Sequence, residues 1–263
     1  MIINPYLFPG GKTACLTMSY DDGHTADDRL IEIFDKYGIK GTFHVVNAFD
    51  SWEGRTTDRA KEVYAGHELS CHTATHPWLS HLSDSMLAEE IVSNKKKLED
   101  ICGYTVRGMS YPYGDFDERI IKVFADNGMK YARTTRSTNN FRIPSDFMAW
   151  HPTCHHKNCL DNLPLITEPV HRHKLPRLLY VWGHSYEFNN DGNWDMIEEF
   201  CKRASDLSHV WFATNIEIYD YVTAARGLEI SSNGKTVFNP SFITVCAEAD
   251  GEIVEIKPGE NRL

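Results

Sequence analysis

An α/β fold built on a parallel sheet, open or closed into a barrel, is predicted by two observations. Short apolar runs alternate with amphipathic stretches along most of the chain, and 263 residues is a length at which alternating barrels form a single unit. Residues 13–19 read as the first strand. Residues 27–36 read as a helix, with Leu30, Ile31 and Phe34 at helical spacing and Gly38 as its stop. Residues 40–46 are rich in β-formers (Thr42, Phe43, Val45, Val46) and give a second strand, and residues 67–71 a short third. Residues 83–100 are the clearest helix. Ser83 and Ser85 are candidate N-caps there, and Met86, Leu87, Ile91 and Leu98 form its apolar face.

A strand near 104–109, a helix near 118–127 and a strand near 130–134 follow. Residues 135–176 are irregular and rich in Asn, Pro and His; a loop that long in a compact domain is functional or holds short elements of its own. A strand at 177–182, a helix at 193–206, a strand at 209–214 and a helix at 216–226 complete the alternation. The tail then changes character, with short strands at 236–238, 242–245 and 253–256 between Asn-Gly and Gly turns. The expected organisation is a main α/β domain over residues 1–226 and a short β-rich extension over residues 227–263, packed on it. No internal repeat interrupts this order.

Composition narrows the function. Hydrophobic residues at 41% and charged residues at 24% fit a soluble globular protein. With 27 basic against 37 acidic residues the net charge is −10, and no basic stripe is present, so a nucleic-acid partner is not expected. No run approaches the roughly 18 apolar residues of a membrane span, so no membrane partner is expected either. Met1-Ile2-Ile3-Asn4-Pro5 lacks a basic region followed by an apolar core. The seven cysteines are odd in number and scattered, and are expected to be reduced and mostly buried. Both features point to the cytoplasm. Nothing in the sequence points to an oligomeric state.

Four short motifs carry chemistry. Ser19-Tyr20-Asp21-Asp22-Gly23 follows the first strand and sets two carboxylates where catalytic groups gather in α/β folds, one free to bind a cation and one to act as a base. The same Asp-Asp-Gly also suits an ordinary turn. His72-Thr73-Ala74-Thr75-His76-Pro77 follows another strand. Histidines four apart on a helical turn can share one metal, and Asp22 would complete two imidazoles and a carboxylate with coordination sites left open. Surface histidines are the plainer alternative in a chain with 13 of them. Ser110-Tyr111-Pro112-Tyr113-Gly114 makes a tight turn able to aim a backbone N–H into a pocket, or a plain β-turn. Val181-Trp182-Gly183-His184-Ser185 offers a histidine as proton donor and Trp182 as a surface for a sugar ring.

The order of these motifs, one after each of several strands, resembles the polysaccharide deacetylase family, also called the NodB-homology or family-four carbohydrate esterases, over roughly residues 12–225. The resemblance implies an irregular (β/α) barrel, with seven strands rather than eight. It implies a divalent metal, usually zinc, on Asp22, His72 and His76, with Asp21 as catalytic base and His184 as general acid. It also implies an oxyanion hole at the backbone N–H of Tyr113 and an N-acetylated sugar, oligosaccharide or polysaccharide as substrate.

The sequence departs from the family pattern twice. Where the family has an Arg two residues before the Pro of the third motif, this chain has Ser110; Arg133 is the candidate to contact Asp21 instead, with Arg136 and Arg107 as alternatives. No Asp motif that would orient the acid histidine appears in residues 135–176, where Asp146 is the nearest candidate. These departures leave two other functions open, an amidohydrolase for a non-sugar or cyclic amide and a non-catalytic sugar-binding protein. Cys154-His155-His156-x-x-Cys159, with His151 nearby, is a candidate second metal site, although its spacing is not that of a common zinc motif and a structural role is the plainer reading. Trp78, Trp150 and Tyr186 are candidates for a sugar subsite or for core packing, and Glu89-Glu90 and Lys95-Lys96-Lys97 read as a solvated helix face.

Overall fold

The structure, a computed structural model, describes residues 3–4, 7–47, 57–169 and 175–263; residues 1, 2, 5 and 6, residues 48–56 and residues 170–174 of the long loop lie outside the described residues. After a two-residue strand β1 (Ile3–Asn4), eight parallel strands build the main sheet. They are β2 (Ala14–Asp22), β3 (Gly41–Val45), β4 (Glu68–Cys71), β5 (Gly108–Ser110), β6 (Tyr131–Arg133), β7 (Cys154–His155), β8 (Arg177–Gly183) and β9 (Val210–Phe212). Seven stand in the order β6-β5-β4-β3-β2-β8-β7, and β9 pairs with β2. One edge of β2 runs along β8 from Ala14 to Tyr20. Its other edge is divided, β9 taking Ala14 to Leu16 and β3 taking Met18 to Asp22.

The sheet curls until residues 150–155 bridge its ends. Trp150 N donates to Ala132 O at 2.9 Å and Thr134 N to Trp150 O at 3.0 Å, while Thr153 N donates to Tyr180 O at 2.9 Å and β7 pairs with β8. This is the irregular (β/α) barrel that the motif order implied, with β9 as a short eighth strand wedged beside β2.

The alternation along β2 explains both its length and its chemistry. Leu16, Met18 and Tyr20 join the large apolar cluster with the buried residues of the outer helices. Thr17, Ser19 and Asp21 alternate with them and form a polar series: Thr17 Oγ1 donates to Asn215 Oδ1 at 2.8 Å, and Ser19 Oγ lies 2.9 Å from His44 Nε2. Because polar side chains here find partners inside the barrel, the strand continues to Asp22, three residues past the expected end.

The helix Asp27–Lys36 buries Leu30, Ile31, Ile33 and Phe34. The helix Asp84–Cys102 is capped by Ser83, whose Oγ accepts from Met86 N, and ends at Gly103 in the left-handed region, φ 75°. Its buried stripe is Leu87, Ile91, Asn94, Leu98 and Ile101, spaced by four and three. Met86, expected on that face, is 53% exposed, and the polar Asn94 is buried in the stripe instead.

The irregular loop holds β7 and the short helix Cys159–Asn162, and a further helix, Tyr186–Asp191, follows β8. Six cysteines are buried and Cys102 is partly so; all seven are free.

In the tail, β10 (Glu229–Ile230), β11 (Thr236–Asn239) and β14 (Gly259–Arg262) form one antiparallel sheet, and β12 (Val245–Ala249) and β13 (Glu252–Ile256) join β1 in another. Phe242, expected in a strand, is fully exposed before β12 begins. Val237, Val245, Ala247 and Ile256 share an apolar cluster with Phe8, Trp150, Tyr180 and Val222, so tail and barrel have one lower core. No helix among the described residues is long and apolar enough to cross a membrane.

Candidate active site

The chemically distinctive residues gather at the C-terminal ends of the strands, where a parallel barrel opens its loops. Asp21 continues the inward series of β2 and is 2% exposed. Strand alternation alone would send Asp22 to the opposite face, but its backbone turns into the left-handed region, φ 78°, and re-aims the side chain. Asp22 Oδ1 lies 3.4 Å from His72 Nε2 and 3.7 Å from His76 Nε2. One ligand-capable atom from each of the three residues falls within 4.8 Å of the others.

The two histidines do not meet on a helical turn, as their spacing predicted. Residues 72–77 form a loop in which Thr73 (φ 66°) and His76 (φ 58°) are both left-handed, and Pro77 disfavours helix at the residue before it. The loop is held from outside. Glu90 accepts from Ala74 N at 2.9 Å, from Thr75 N at 2.8 Å and from Thr75 Oγ1 at 2.6 Å, and Asn94 Oδ1 accepts from His72 N at 2.9 Å. Glu90, expected on a solvated face, is therefore the anchor of the histidine loop. His72 Nδ1 donates to the Ser110 carbonyl at 2.9 Å, which leaves Nε2 facing Asp22, the arrangement found around ligating histidines.

Arg133 and Ser110 both hold Asp21. Arg133 is fully buried, its guanidinium donates to Asp21 Oδ2, and it lies 4.7 Å from the ring centre of Trp182. Ser110 Oγ donates to Asp21 Oδ1 at 3.0 Å and lies 2.7 Å from His72 Nδ1. Burial alone would raise the Asp21 pKa, but Arg133, His72 and His44 outweigh it, and the carboxyl stays far below its ordinary range. The alternatives to Arg133 lie elsewhere: Arg107 pairs with Asp220 at 2.6 and 2.8 Å, and Arg136 N donates to Thr134 Oγ1.

His184 follows β8, with Nε2 3.9 Å from Asp22 Oδ2. Its Nδ1 lies 2.9 Å from Glu187 Oε1. Burial acts to lower the His184 pKa; Glu187, Asp21 and Asp22 prevail and raise it. Glu187 itself is held ionised, the penalty of burial being overcome by His155, His156 and His184. Sequence reasoning missed Glu187. The signal was present as a carboxylate three residues after a histidine, which becomes a contact once residues 186–191 turn helical. Asp146 does something else: it caps the turn Phe147–Ala149 by accepting from Met148 N at 2.8 Å.

Tyr113 sits at φ 58° in the turn Pro112–Gly114. Its half-exposed ring stacks on Trp78 with centroids 4.4 Å apart and meets His76 edge-on at 4.5 Å. Trp150 is core, packed against Tyr131, Phe147 and Tyr180. The open aromatic surface beside the cluster is thus Trp78 with Tyr113.

Comparison with known proteins adds a likeness of sequence and of fold. The sequence model of the family described as Polysaccharide deacetylase matches residues 9–132. Chitin deacetylase 1 of Cryptococcus neoformans var. grubii is 31% identical over 140 residues, which is 51% of this chain and only 28% of that protein's length. A putative polysaccharide deacetylase from Mycobacterium smegmatis superposes with a TM-score of 0.64 at 16% identity, covering 85% of this chain and 94% of that one. A Bacillus anthracis protein described as a CE4 family pseudoenzyme superposes with a TM-score of 0.53 at 19% identity, covering 81% and 66%. At these identities the two structures attest to the fold alone. The sequence match over residues 9–132 and the ordered motifs make the chain similar to the polysaccharide deacetylase family.

Proposed function

We propose that the protein is a metal-dependent hydrolase that removes an acetyl or similar acyl group from the nitrogen of an amino sugar, free or within an oligosaccharide or polysaccharide. The observation that carries this reading is convergence: a carboxylate held ionised, a two-histidine, one-carboxylate cluster and a histidine paired with its own carboxylate meet around Asp22. The cluster fits a divalent cation, since two imidazoles and one carboxylate are a common zinc donor set with coordination left open. Asp22, His72 and His76 would hold it. A cation bound there supplies Lewis acidity toward an acyl oxygen and makes water more acidic.

The chain's own groups do the rest. Asp21, fixed by Arg133 and Ser110, accepts the proton of the attacking water. The backbone N–H of Tyr113 steadies the developing oxyanion, a role worth roughly 3 kcal/mol per donor. His184, oriented by Glu187 and favoured in its protonated form, passes a proton to the departing nitrogen. Trp78 and Tyr113 offer a stacked face to the apolar side of a sugar ring.

Contacts at both positions where the sequence departs from the family pattern support catalysis over a non-catalytic sugar-binding role, and the cluster of Asp22, His72 and His76 supports a metal-dependent over a metal-free hydrolase. Arg133 contacts the base, and Glu187 contacts the acid. The deciding experiment measures bound metal by elemental analysis and acetate release from a panel of N-acetylated sugars, before and after chelation. Bound metal with chelator-sensitive release supports the proposal. No metal and no rescue by added zinc would overturn it and favour the metal-free hydrolase or the binding protein.

A further inference from the structure

Beside the acid histidine stands a second group of ligand-type atoms to which the reaction above gives no task. His156 is fully buried, and neither of its ring nitrogens has a hydrogen-bond partner among the described residues. A buried imidazole whose Nδ1 meets no partner and whose Nε2 meets only a carboxylate oxygen, without a well-aligned hydrogen bond, is costly and rare in native structures without a ligand or water. The ring is nevertheless firmly seated. It stacks on Phe188 at 4.2 Å and on Tyr20 at 5.8 Å. It also fills the space where a side chain at residue 183 would go: a Cβ on Gly183 would lie 2.1 Å from His156 Nδ1. The fold therefore keeps this position bare to admit the imidazole.

His156 Nε2 faces Glu187 Oε2 at 3.2 Å, and the half-buried His155 presents its Nε2 to the same oxygen, also at 3.2 Å. Glu187 Oε2 has no hydrogen-bond partner among the described residues, although Oε1 is engaged by His184. Charge-assisted hydrogen bonds close to about 2.7–2.9 Å. Donor atoms placed tetrahedrally around zinc at about 2.0–2.1 Å lie about 3.3 Å from one another. The observed separations match the second pattern, and the Asp22 cluster shows similar ones, 3.4 and 3.7 Å.

We propose that His155, His156 and Glu187 form a second divalent-cation site, suited to zinc, distinct from the one built on Asp22, His72 and His76. One ligand-capable atom from each of the three lies within 4.8 Å of the others. The neighbouring cysteines are not part of it: Cys154 and Cys159 are buried, and Cys159 Sγ contacts Met196 Sδ at 3.6 Å. Lys157 Nζ stands 3.7 Å from Glu187 Oε2, but it also pairs with Asp191 at 3.1 Å, which can hold it when a cation occupies the site. A cation here would fix the Glu187 carboxylate and, through its other oxygen, the ring of His184. That consequence rests on the function proposed above; the site itself does not.

The test is zinc stoichiometry of the full chain, stripped by chelation and dialysed against zinc chloride, with unfolding temperature read in parallel. The wild type is expected to bind two equivalents, His155→Ala one, and the double variant Asp22→Asn/His76→Ala one that still raises its unfolding temperature. Because His155 is partly exposed, its replacement should leave the fold intact; Glu187→Gln is the second variant and should also lose one equivalent. Equal zinc binding by wild type, His155→Ala and Glu187→Gln overturns the proposal. A single equivalent in the wild type that survives Asp22→Asn/His76→Ala and vanishes in His155→Ala would uphold this site while removing the first.

Discussion

Replacing Arg133 by Met tests the most consequential electrostatic contact in the barrel. Arg133 is 0% exposed and Asp21 2%, so the substitution leaves a carboxylate buried without its principal counter-charge. Breaking one side of a buried ion pair costs about 3–5 kcal/mol, a large part of the 5–15 kcal/mol typical of a folded domain. The sign with pH follows from the shift. In the wild type the folded Asp21 pKa lies below its usual 3.8, so the pair's stabilisation is complete above that value and fades as pH falls toward the lowered one. Without the guanidinium the penalty of burial is offset less, and the folded carboxyl titrates higher than in the wild type. The deficit of the variant should therefore be greatest near neutrality and shrink in mild acid.

Urea unfolding at neutral and mildly acidic pH measures this, and the pH profile of kcat/KM should show its acid limb moved upward as Asp21 becomes harder to ionise. Arg133→Lys, which keeps the charge without the planar fork, should fall between. A variant within about 0.5 kcal/mol of wild type at neutral pH, the range of an ordinary surface substitution, with an unmoved acid limb, would refute the reasoning.

Asp21→Asn should lower turnover by about 10²–10⁴-fold while metal stays bound, whereas His72→Ala should lose the metal of the Asp22 cluster; turnover assays beside elemental analysis separate the two. In Glu187→Gln the His184 pKa loses its main upward influence and burial pulls it down, so the basic limb of the kcat/KM profile should move to lower pH; an unchanged limb would exclude His184 as the titrating acid. Trp78→Ala should raise KM for acetylated oligosaccharides about two- to twelve-fold, the equivalent of one aromatic contact, while kcat for the smallest acetylated sugar holds; equal loss on both would place Trp78 outside the sugar surface.

The parts of the molecule that were legible in the sequence are those in which local pattern and tertiary environment agree. The helix Asp27–Lys36 carries a clean apolar face, and its predicted bounds match. Strand β2 ran longer than expected because hydropathy reads Ser19 and Asp21 as exposed, whereas inside this barrel they face polar partners. Met86 is exposed and Asn94 lies in the buried stripe for a related reason: Asn94 holds the backbone of His72 and of Val45, a task that hydrophobic periodicity does not encode. The histidine loop was misread as helical because i, i+4 spacing is only one way to bring two rings together. Two left-handed residues and an anchoring Glu90 are another. Glu187 was not legible because a carboxylate three residues after a histidine meets it only once residues 186–191 turn helical.

The divided edge of β2 bears on the order in which the molecule can assemble. This strand is made early, yet two of its three neighbours, β8 and β9, come from the last third of the chain, so its clamping involves contacts of very long sequence separation. Such contacts carry a heavy loop-closure cost and form late, which slows folding. During synthesis the end of β2 that carries the two aspartates lacks β8 along one edge until residue 183 has emerged, and competence to hold a cation should appear late, rather than as a property that grows with chain length.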